Sequence, residues 1–338
     1  MPMKASEFLH AQREDLPILL CEEDVQRKIF VVTGASQGIG REAACHLVRL
    51  GAACVVLAVR SLLKGEEARS WIESVTGIRG VVEVWELDIT NFSMVQRFAN
   101  RCIDVLGYIH GLVQNAAVTS SEHALNKEGY EMTVAGNVFG TVLLAFLLLP
   151  RMTETAYRTQ GTPHIVFLTT ALAFTQKDAM ELLATAQYPA LDSFNCWKYL
   201  ATDTAARYSV SNLFKILVLR EFFKLMPHSE TRVVMNMVNP GYCKTELAKN
   251  GPLYFRLQFK LGALLIGRSP EMGSRTILHA LHAGPESDGH FLSDCKIKDY
   301  IVEDWVTSEA GQAVQKKVWD DFIERLERIY PGCASQKT

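Results

Sequence analysis

The chain lacks any stretch of ~18 uninterrupted apolar residues, the length that a membrane-spanning helix requires. Its longest apolar run, 142–149, stops at Pro150. Net charge is nearly absent, −2 over 338 residues, so no global field gathers nucleic acid or an anionic membrane. The eight cysteines form no C-x-x-C pair and no regular framework, which argues against a disulfide-stapled scaffold and suits a reducing compartment. Cys45 and Cys54 fall in or beside apolar elements, where a thiol behaves as a small apolar residue. The nine histidines show no H-E-x-x-H or similar ligand spacing, and no metal site is expected. His279 and His282 stand three apart, with no nearby Cys or carboxylate to complete a site. Residues 1–27 carry Arg13, Glu14, Asp15, Glu22, Glu23 and Asp24 where a secretory signal would be apolar, so a cytoplasmic protein is expected. In that setting the Asn91-Phe92-Ser93 sequon reads as accidental. What the chain does have is 48% hydrophobic and 21% charged residues, the balance of a globular protein with ample core.

Apolar strand-like runs at 28–33, 53–59, 81–87, 109–114, 164–169, 232–238 and 289–293 alternate with helical periodicity near 39–50, 61–75, 91–106, 128–152, 200–225 and 270–282. Runs that are continuously apolar, not alternating, point to a parallel sheet covered on both faces. The fold class is therefore α/β, a doubly wound parallel sheet of Rossmann type in one domain, 28–300, with lid-like insertions. An N-terminal extension, 1–27, precedes it. A C-terminal helix and tail, 301–338, follow, with Val314, Val318, Phe322 and Leu326 forming a stripe that should dock on the body. Two segments interrupt the rhythm. The first, 171–201, carries Phe174, Met180, Leu182, Leu183, Tyr188, Pro189 and Trp197; the second, 247–268, is rich in Leu, Phe and Tyr. Both start near carboxyl ends of strands, where ligands bind in such sheets, and read as lids over an apolar substrate. Ordinary core or an oligomer contact is the alternative. For the second, a membrane-surface contact is another, since Arg256, Lys260 and Arg268 interleave with its apolar residues.

The first strand runs into Thr33-Gly34-Ala35-Ser36-Gln37-Gly38-Ile39-Gly40, which opens a helix with Ile39, Ala43, Leu47 and Val48 on one face. Glycines at this spacing allow a tight turn and bring backbone N–H groups close to a diphosphate, where the helix N-terminus adds partial positive charge. Twenty residues past Gly40, at the end of the second strand, an NAD site would place Asp or Glu on the ribose 2′-hydroxyl. Arg60 stands there instead, followed by Lys64, and a guanidinium offers planar donors to a 2′-phosphate. NADP(H) is the expected cofactor.

Together with further motifs in order, this chain resembles the short-chain dehydrogenase/reductase family over roughly residues 28–295. TGASQGIG resembles the family's TGxxxGxG turn, and Asp88-Ile89 after the third strand its adenine-contacting acidic motif. Asn115-Ala116-Ala117 resembles its N-A-G motif, with alanine replacing glycine. Asn137, within Gly136-Asn137-Val138-Phe139-Gly140, matches the asparagine of the catalytic tetrad. Tyr208-Ser209-Val210-Ser211-Asn212 resembles Y-x-x-S-K with asparagine in place of lysine, and Asn239-Pro240-Gly241 with Thr245 resembles the stretch that closes over nicotinamide. The sequences around Leu148-Leu149-Pro150 and Glu286-Ser287-Asp288-Gly289 look like the retinol-dehydrogenase-like branch, whose fungal members often serve secondary metabolism.

The resemblance implies a cofactor site built from Gly34, Ser36, Gln37, Gly38, Ile39, Gly40, Arg60, Lys64, Asp88, Ile89, Asn115, Pro240, Gly241 and Thr245, with Tyr208 and Asn212 at the nicotinamide ribose. Tyr208 would be the acid and Thr170 would stand where the family places a substrate-binding serine, with Thr169 facing the opposite side of the strand. Asn212 can hydrogen-bond a ribose but supplies no positive charge to lower the phenol pKa. Lys215 lies seven residues after Tyr208, on roughly the same helical face but about 10 Å along the axis, and is a candidate substitute. The implied activity is NADPH-dependent reduction of a carbonyl on a hydrophobic small molecule, such as a polyketide- or terpenoid-like intermediate. Redox-neutral isomerisation, dehydration or cyclisation on the same fold, and nucleotide binding without catalysis, are the alternatives. Family members often pair through the helices corresponding to 128–152 and 200–225, so a homodimer is anticipated.

Overall fold

A computed structural model describes residues 5–120, 124–187, 189–192 and 203–333. The apolar runs form strands β1 (Ile29–Thr33), β2 (Cys54–Val59), β3 (Val82–Glu86), β4 (Gly111–Gln114), β5 (His164–Leu168), β6 (Val234–Asn239) and β7 (Phe291–Ser293). They lie in the order β3-β2-β1-β4-β5-β6-β7, all parallel, and the order reverses direction between β1 and β4. That reversal leaves a crevice at the carboxyl ends of the strands, the place where doubly wound sheets bind ligands. A strand absent from the sequence reading, β8 (Lys296–Ile297), pairs antiparallel to β7. Two residues are too few to show a period. The turn is made by Asp294 and Cys295, both at positive φ (52° and 55°).

The helices are α1 (Ala5–Arg13), α2 (Gly38–Arg49), α3 (Leu62–Thr76), α4 (Phe92–Leu106), α5 (Thr141–Thr159), α6 (Lys177–Thr185), α7 (Thr204–Leu225), α8 (Leu253–Ile266), α9 (Pro270–His282) and α10 (Glu309–Ile329). Several of these helices start at side chains that accept orphan N–H groups. Asn91 caps α4 by accepting from Met94 N at 3.1 Å, so the sequon asparagine has a structural job. Ser269 caps α9 with Pro270 in the first turn, and Asp203 caps α7 through Ala205 N and Ala206 N. One apolar layer joins the sheet to α2, α3 and α9; the other joins it to α4, α5, α6, α7 and α10.

Among the described residues, Met132–Thr159 is the one helical stretch long and apolar enough to cross a membrane, and 94% of its most apolar window is buried in the protein. The seven cysteines described are free, and the described residues hold no cluster of His, Cys, Asp and Glu suited to a metal.

Three expectations change in detail. The 1–27 segment is built into the body: Ala11, Gln12, Leu16, Leu20 and Val25 are buried. The described part of 171–201 is divided: Phe174, Met180 and Leu183 are buried and α6 is clamped to α10 by Lys317 Nζ donating to Leu183 O at 2.9 Å, whereas Leu182 is exposed and Leu172 is exposed where it lines the cleft. Tyr188 and Trp197 lie outside the described residues. The stripe Val314, Val318, Phe322 and Leu326 docks as expected, and it docks on the helices at which a homodimer contact was anticipated. Phe322 stacks on Phe139 at 5.1 Å between centroids, and Trp319 on Phe146 at 6.4 Å. The chain's own C-terminal helix therefore covers this surface.

Candidate active site

A cleft of about 790 Å³ opens over the carboxyl ends of the strands. Its floor is the glycine turn. Gly34 and Gly38 have φ of 66° and 63°, in the left-handed region that glycine adopts without strain. A Cβ on Gly34 would lie 2.8 Å from Ala116 Cα, and one on Gly40 would lie 2.4 Å from Asn115 Nδ2. Asn115 explains this closeness, for its amide donates to Thr33 O at 2.8 Å and Gly34 O at 3.1 Å. The β4 end thus holds the turn in shape while facing the cleft. Gly34, Ser36, Gln37, Gly38 and Ile39 line it and Gly40 packs behind.

At one end, Arg60, Asp88 and Ile89 line the wall. Asp88 Oδ1 accepts from Thr90 N and Thr90 Oγ1 at 2.9 and 2.7 Å, which fixes the carboxylate. Arg60 and Lys64 are exposed, and Lys64 stands just outside the lining. A third cation, Lys249, joins them from the far side of the cleft, at the end of the short 3-10 turn Leu247–Asn250. Partial burial and the nearby Lys64 charge hold its ammonium pKa below the usual lysine value, with Glu246 pulling the other way and Arg60 adding to the depression. Nothing in the local sequence marks Lys249, since a long-range turn brings it there.

At the other end, Thr170 and Tyr208 face the same cleft. Thr170 caps a 3-10 turn, accepting from Leu172 N at 3.2 Å, and its hydroxyl hydrogen is left to donate elsewhere. Thr169, one residue past the end of β5, lines the cleft as well, so it is not turned wholly to the opposite side as expected, although its Oγ1 donates to Val238 O at 3.3 Å. Tyr208 is half-buried on α7. Burial pushes its phenol up to about 12, partly countered by the Asn212 side chain. The group is therefore a protonated acid throughout the neutral range.

Asn137 sits on a π-helical turn, Ala135–Gly140, and is wholly buried. Its Oδ1 accepts from Val118 N at 2.7 Å, and its Nδ2 donates to Val118 O and Ser211 Oγ, both at 3.0 Å. It joins the loop after β4 to the Tyr208 helix and does not line the cleft. The glycines around it permit close approach: a Cβ on Gly140 would lie 1.8 Å from Ile89 O. Arg207, unremarked in the sequence, adds a second tie from the same helix by donating to Ser120 O at 2.6 Å.

Asn212 is 1% exposed and lies behind Tyr208, its Nδ2 donating to Tyr208 O at 2.9 Å. Its Oδ1 is a buried acceptor with no partner. Lys215 is 2% exposed and donates to Leu168 O at 2.6 Å; burial brings its ammonium down to about 7. Neither lines the cleft.

Pro240, Gly241 and Thr245, on the loop after β6, also line the cleft. This loop is held from a distance. Gln12 of α1 accepts from Tyr242 N at 3.0 Å and donates to Tyr242 O and Ile266 O at 2.8 and 3.0 Å. Arg268 donates to Pro240 O at 3.2 Å and pairs with Asp294 at 2.6 Å, with Lys298 on the same carboxylate at 2.9 Å. Arg268 is 3% exposed, so it is no surface cation and takes no part in any membrane contact of 247–268.

A glycine turn at the reversal point of a doubly wound sheet, with a tyrosine and a threonine hydroxyl across the cleft, defines a class of nicotinamide-dependent oxidoreductase folds. The short chain dehydrogenase family model matches residues 28–184. The chain is 35% identical to the short chain dehydrogenase/reductase dmxR8 of Cryptosporiopsis sp., over 91% of this chain and 93% of that one. It is 31% identical to the short-chain dehydrogenase anuD of Penicillium roqueforti, over 98% and 85% of the two chains. A short chain dehydrogenase from Shigella flexneri, solved in complex with NADP, superposes with a TM-score of 0.57 at 20% identity, covering 81% of this chain and 100% of that one. The protein belongs to the short-chain dehydrogenase/reductase family.

Proposed function

We propose that the protein is an NADPH-dependent reductase acting on a carbonyl of a hydrophobic small molecule, such as a polyketide- or terpenoid-like intermediate of secondary metabolism. The observation that carries this reading is the convergence of the Thr170 hydroxyl and the protonated Tyr208 phenol on one cleft with the glycine turn. The residues present fit the cofactor: the positive-φ glycines leave room for a diphosphate, and Arg60 with Lys249 offers charge to a 2′-phosphate. When bound, the reduced nicotinamide supplies hydride to the carbonyl carbon. Thr170 orients the substrate oxygen by donating a hydrogen bond, and Tyr208 gives it a proton. Asn137 positions the loop and helix on which this depends. The apolar part of the cleft wall, including Leu172, Leu247, Tyr242 and Phe259, favours an apolar substrate.

NADPH oxidation measured against a panel of hydrophobic ketones and aldehydes tests the reading. Tyr208→Phe should lower turnover by roughly 10²–10⁴-fold while leaving NADPH affinity nearly unchanged. Turnover of substrate without NADPH consumption would replace the reductase by a redox-neutral enzyme. Undiminished activity in Tyr208→Phe would place the acid elsewhere.

A further inference from the structure

The outer face of α8 is the largest feature that the cleft chemistry does not use. Leu253, Tyr254, Leu257, Leu261, Leu264 and Leu265 are exposed by 68, 55, 58, 60, 73 and 72%. At 3.6 residues per turn they fall on one arc of about 120°. Apolar side chains this exposed and contiguous on one helix mark an interaction surface. Exposed Arg256 and Lys260 flank one edge of the arc, and no Asp or Glu occurs between 247 and 270. The inner face meets the protein: Ala263 is buried, and Phe259 lines the cleft and packs on Tyr242 at 5.0 Å between centroids. Tyr242 donates to Phe259 O at 2.9 Å and Gln12 to Ile266 O at 3.0 Å, so the helix is fastened at its middle and its C-terminal end.

We propose that α8 is a membrane-surface docking element that lies flat in the interface of an anionic bilayer, leucines in the acyl boundary and Arg256 and Lys260 on lipid phosphates. Charge decides between occupants. A second copy packed by two-fold symmetry would set the same unpaired cations against each other, whereas anionic lipid complements them. Fourteen residues are too few to span a bilayer, which needs ~20, so the helix rests on the surface. The opposite face of the same helix is cleft wall, so docking sets the cleft beside a reservoir of apolar molecules.

Sedimentation of the full chain with vesicles tests this without any catalytic assay, so its outcome stands apart from that of the reductase reading. Vesicles of phosphatidylcholine with about 30% phosphatidylglycerol should carry the protein down, and pure phosphatidylcholine should do so far less. Arg256→Glu and Lys260→Glu should each weaken anionic partition roughly fivefold or more. Leu261→Asp with Leu264→Asp should abolish it, while circular dichroism and NADPH affinity remain those of the unmodified protein. No sedimentation with anionic vesicles overturns the proposal. So does a dimer in analytical ultracentrifugation that the leucine variants dissociate, because the face then belongs to a second copy.

Discussion

Replacing Asn212 by lysine should restore alcohol oxidation by an amount that the Tyr208 environment sets. Under the proposed mechanism oxidation needs the Tyr208 phenolate, and burial holds the phenol at about 12. Near pH 8 that leaves roughly one molecule in 10⁴ ionised, so oxidation by the natural protein should rise about tenfold per pH unit through the alkaline range. In the same mechanism reduction would use the phenol, already present, and should be nearly flat from about pH 6 to 9. An opposite charge within a few ångströms lowers such a pKa by about 1–3 units. Asn212→Lys should therefore speed oxidation near pH 8 by roughly 10–10³-fold and move its pH profile down by the same number of units. The site favours the change in one respect: Asn212 Oδ1 has no partner to lose, and the Tyr208 carbonyl remains to accept from an ammonium. It opposes it in another, since the position is 1% exposed and a charge must be desolvated there. Initial rates of secondary-alcohol oxidation with NADP from about pH 7 to 11, for both proteins, make the comparison. Equal melting temperature and NADPH affinity certify the fold. A folded variant with an unchanged profile would refute the reasoning, as would a natural protein whose oxidation already levels off near pH 8.

Other outcomes follow from neighbouring groups. Arg60→Ala and Lys249→Ala should each narrow the preference for NADPH over NADH by roughly tenfold, from loss of a charge-assisted contact of about 1.5–3 kcal/mol; fluorescence titration of both nucleotides checks this, and equal affinities in the natural protein would remove the 2′-phosphate argument. Lys215 has a folded pKa of about 7 against an unfolded value near 10.4, so between these the unfolded chain binds the extra proton and stability should climb with pH by up to about 1.4 kcal/mol per unit. Urea unfolding at pH 7.5 and 9 should show that climb in the natural protein and a shallower one in Lys215→Met; parallel slopes would mean that the ammonium is not desolvated. Phe322→Ala, which empties the stack on Phe139, should cost about 3–5 kcal/mol in the same assay.

The readable part of this molecule was its parallel sheet, and the reason is local. The central strands are short apolar runs buried on both faces, so their signal lies within a few consecutive residues, and the glycine turn is defined by its own backbone. Val314, Val318, Phe322 and Leu326 were equally legible, because one helix period shows a buried stripe. What the stripe covers was not legible: whether α10 or a second copy shields the outer faces of α5 and α7 depends on where the chain's end returns. The same limit governs the site. Tyr208, Thr170 and Arg60 stand at strand and helix ends that the pattern locates, and all three line the cleft. Gln12 on α1, Lys249 and Arg268 lie in segments whose sequence does not mark them as part of the site, and only the closed fold brings Gln12 and Arg268 to the 240–245 loop and Lys249 to the Arg60 end of the cleft. Their bonds span more than 200 positions in the case of Gln12 to Tyr242. Asn212 shows both sides at once. Its departure from the family pattern is visible in five residues, but its consequence is not. The consequence rests on a partnerless buried oxygen, a phenol held at about 12, and a lysine one turn on whose ammonium is spent on the Leu168 carbonyl. With no cation committed to the phenol, Tyr208 stays protonated through the neutral range, a state that suits the proposed reduction better than its reverse.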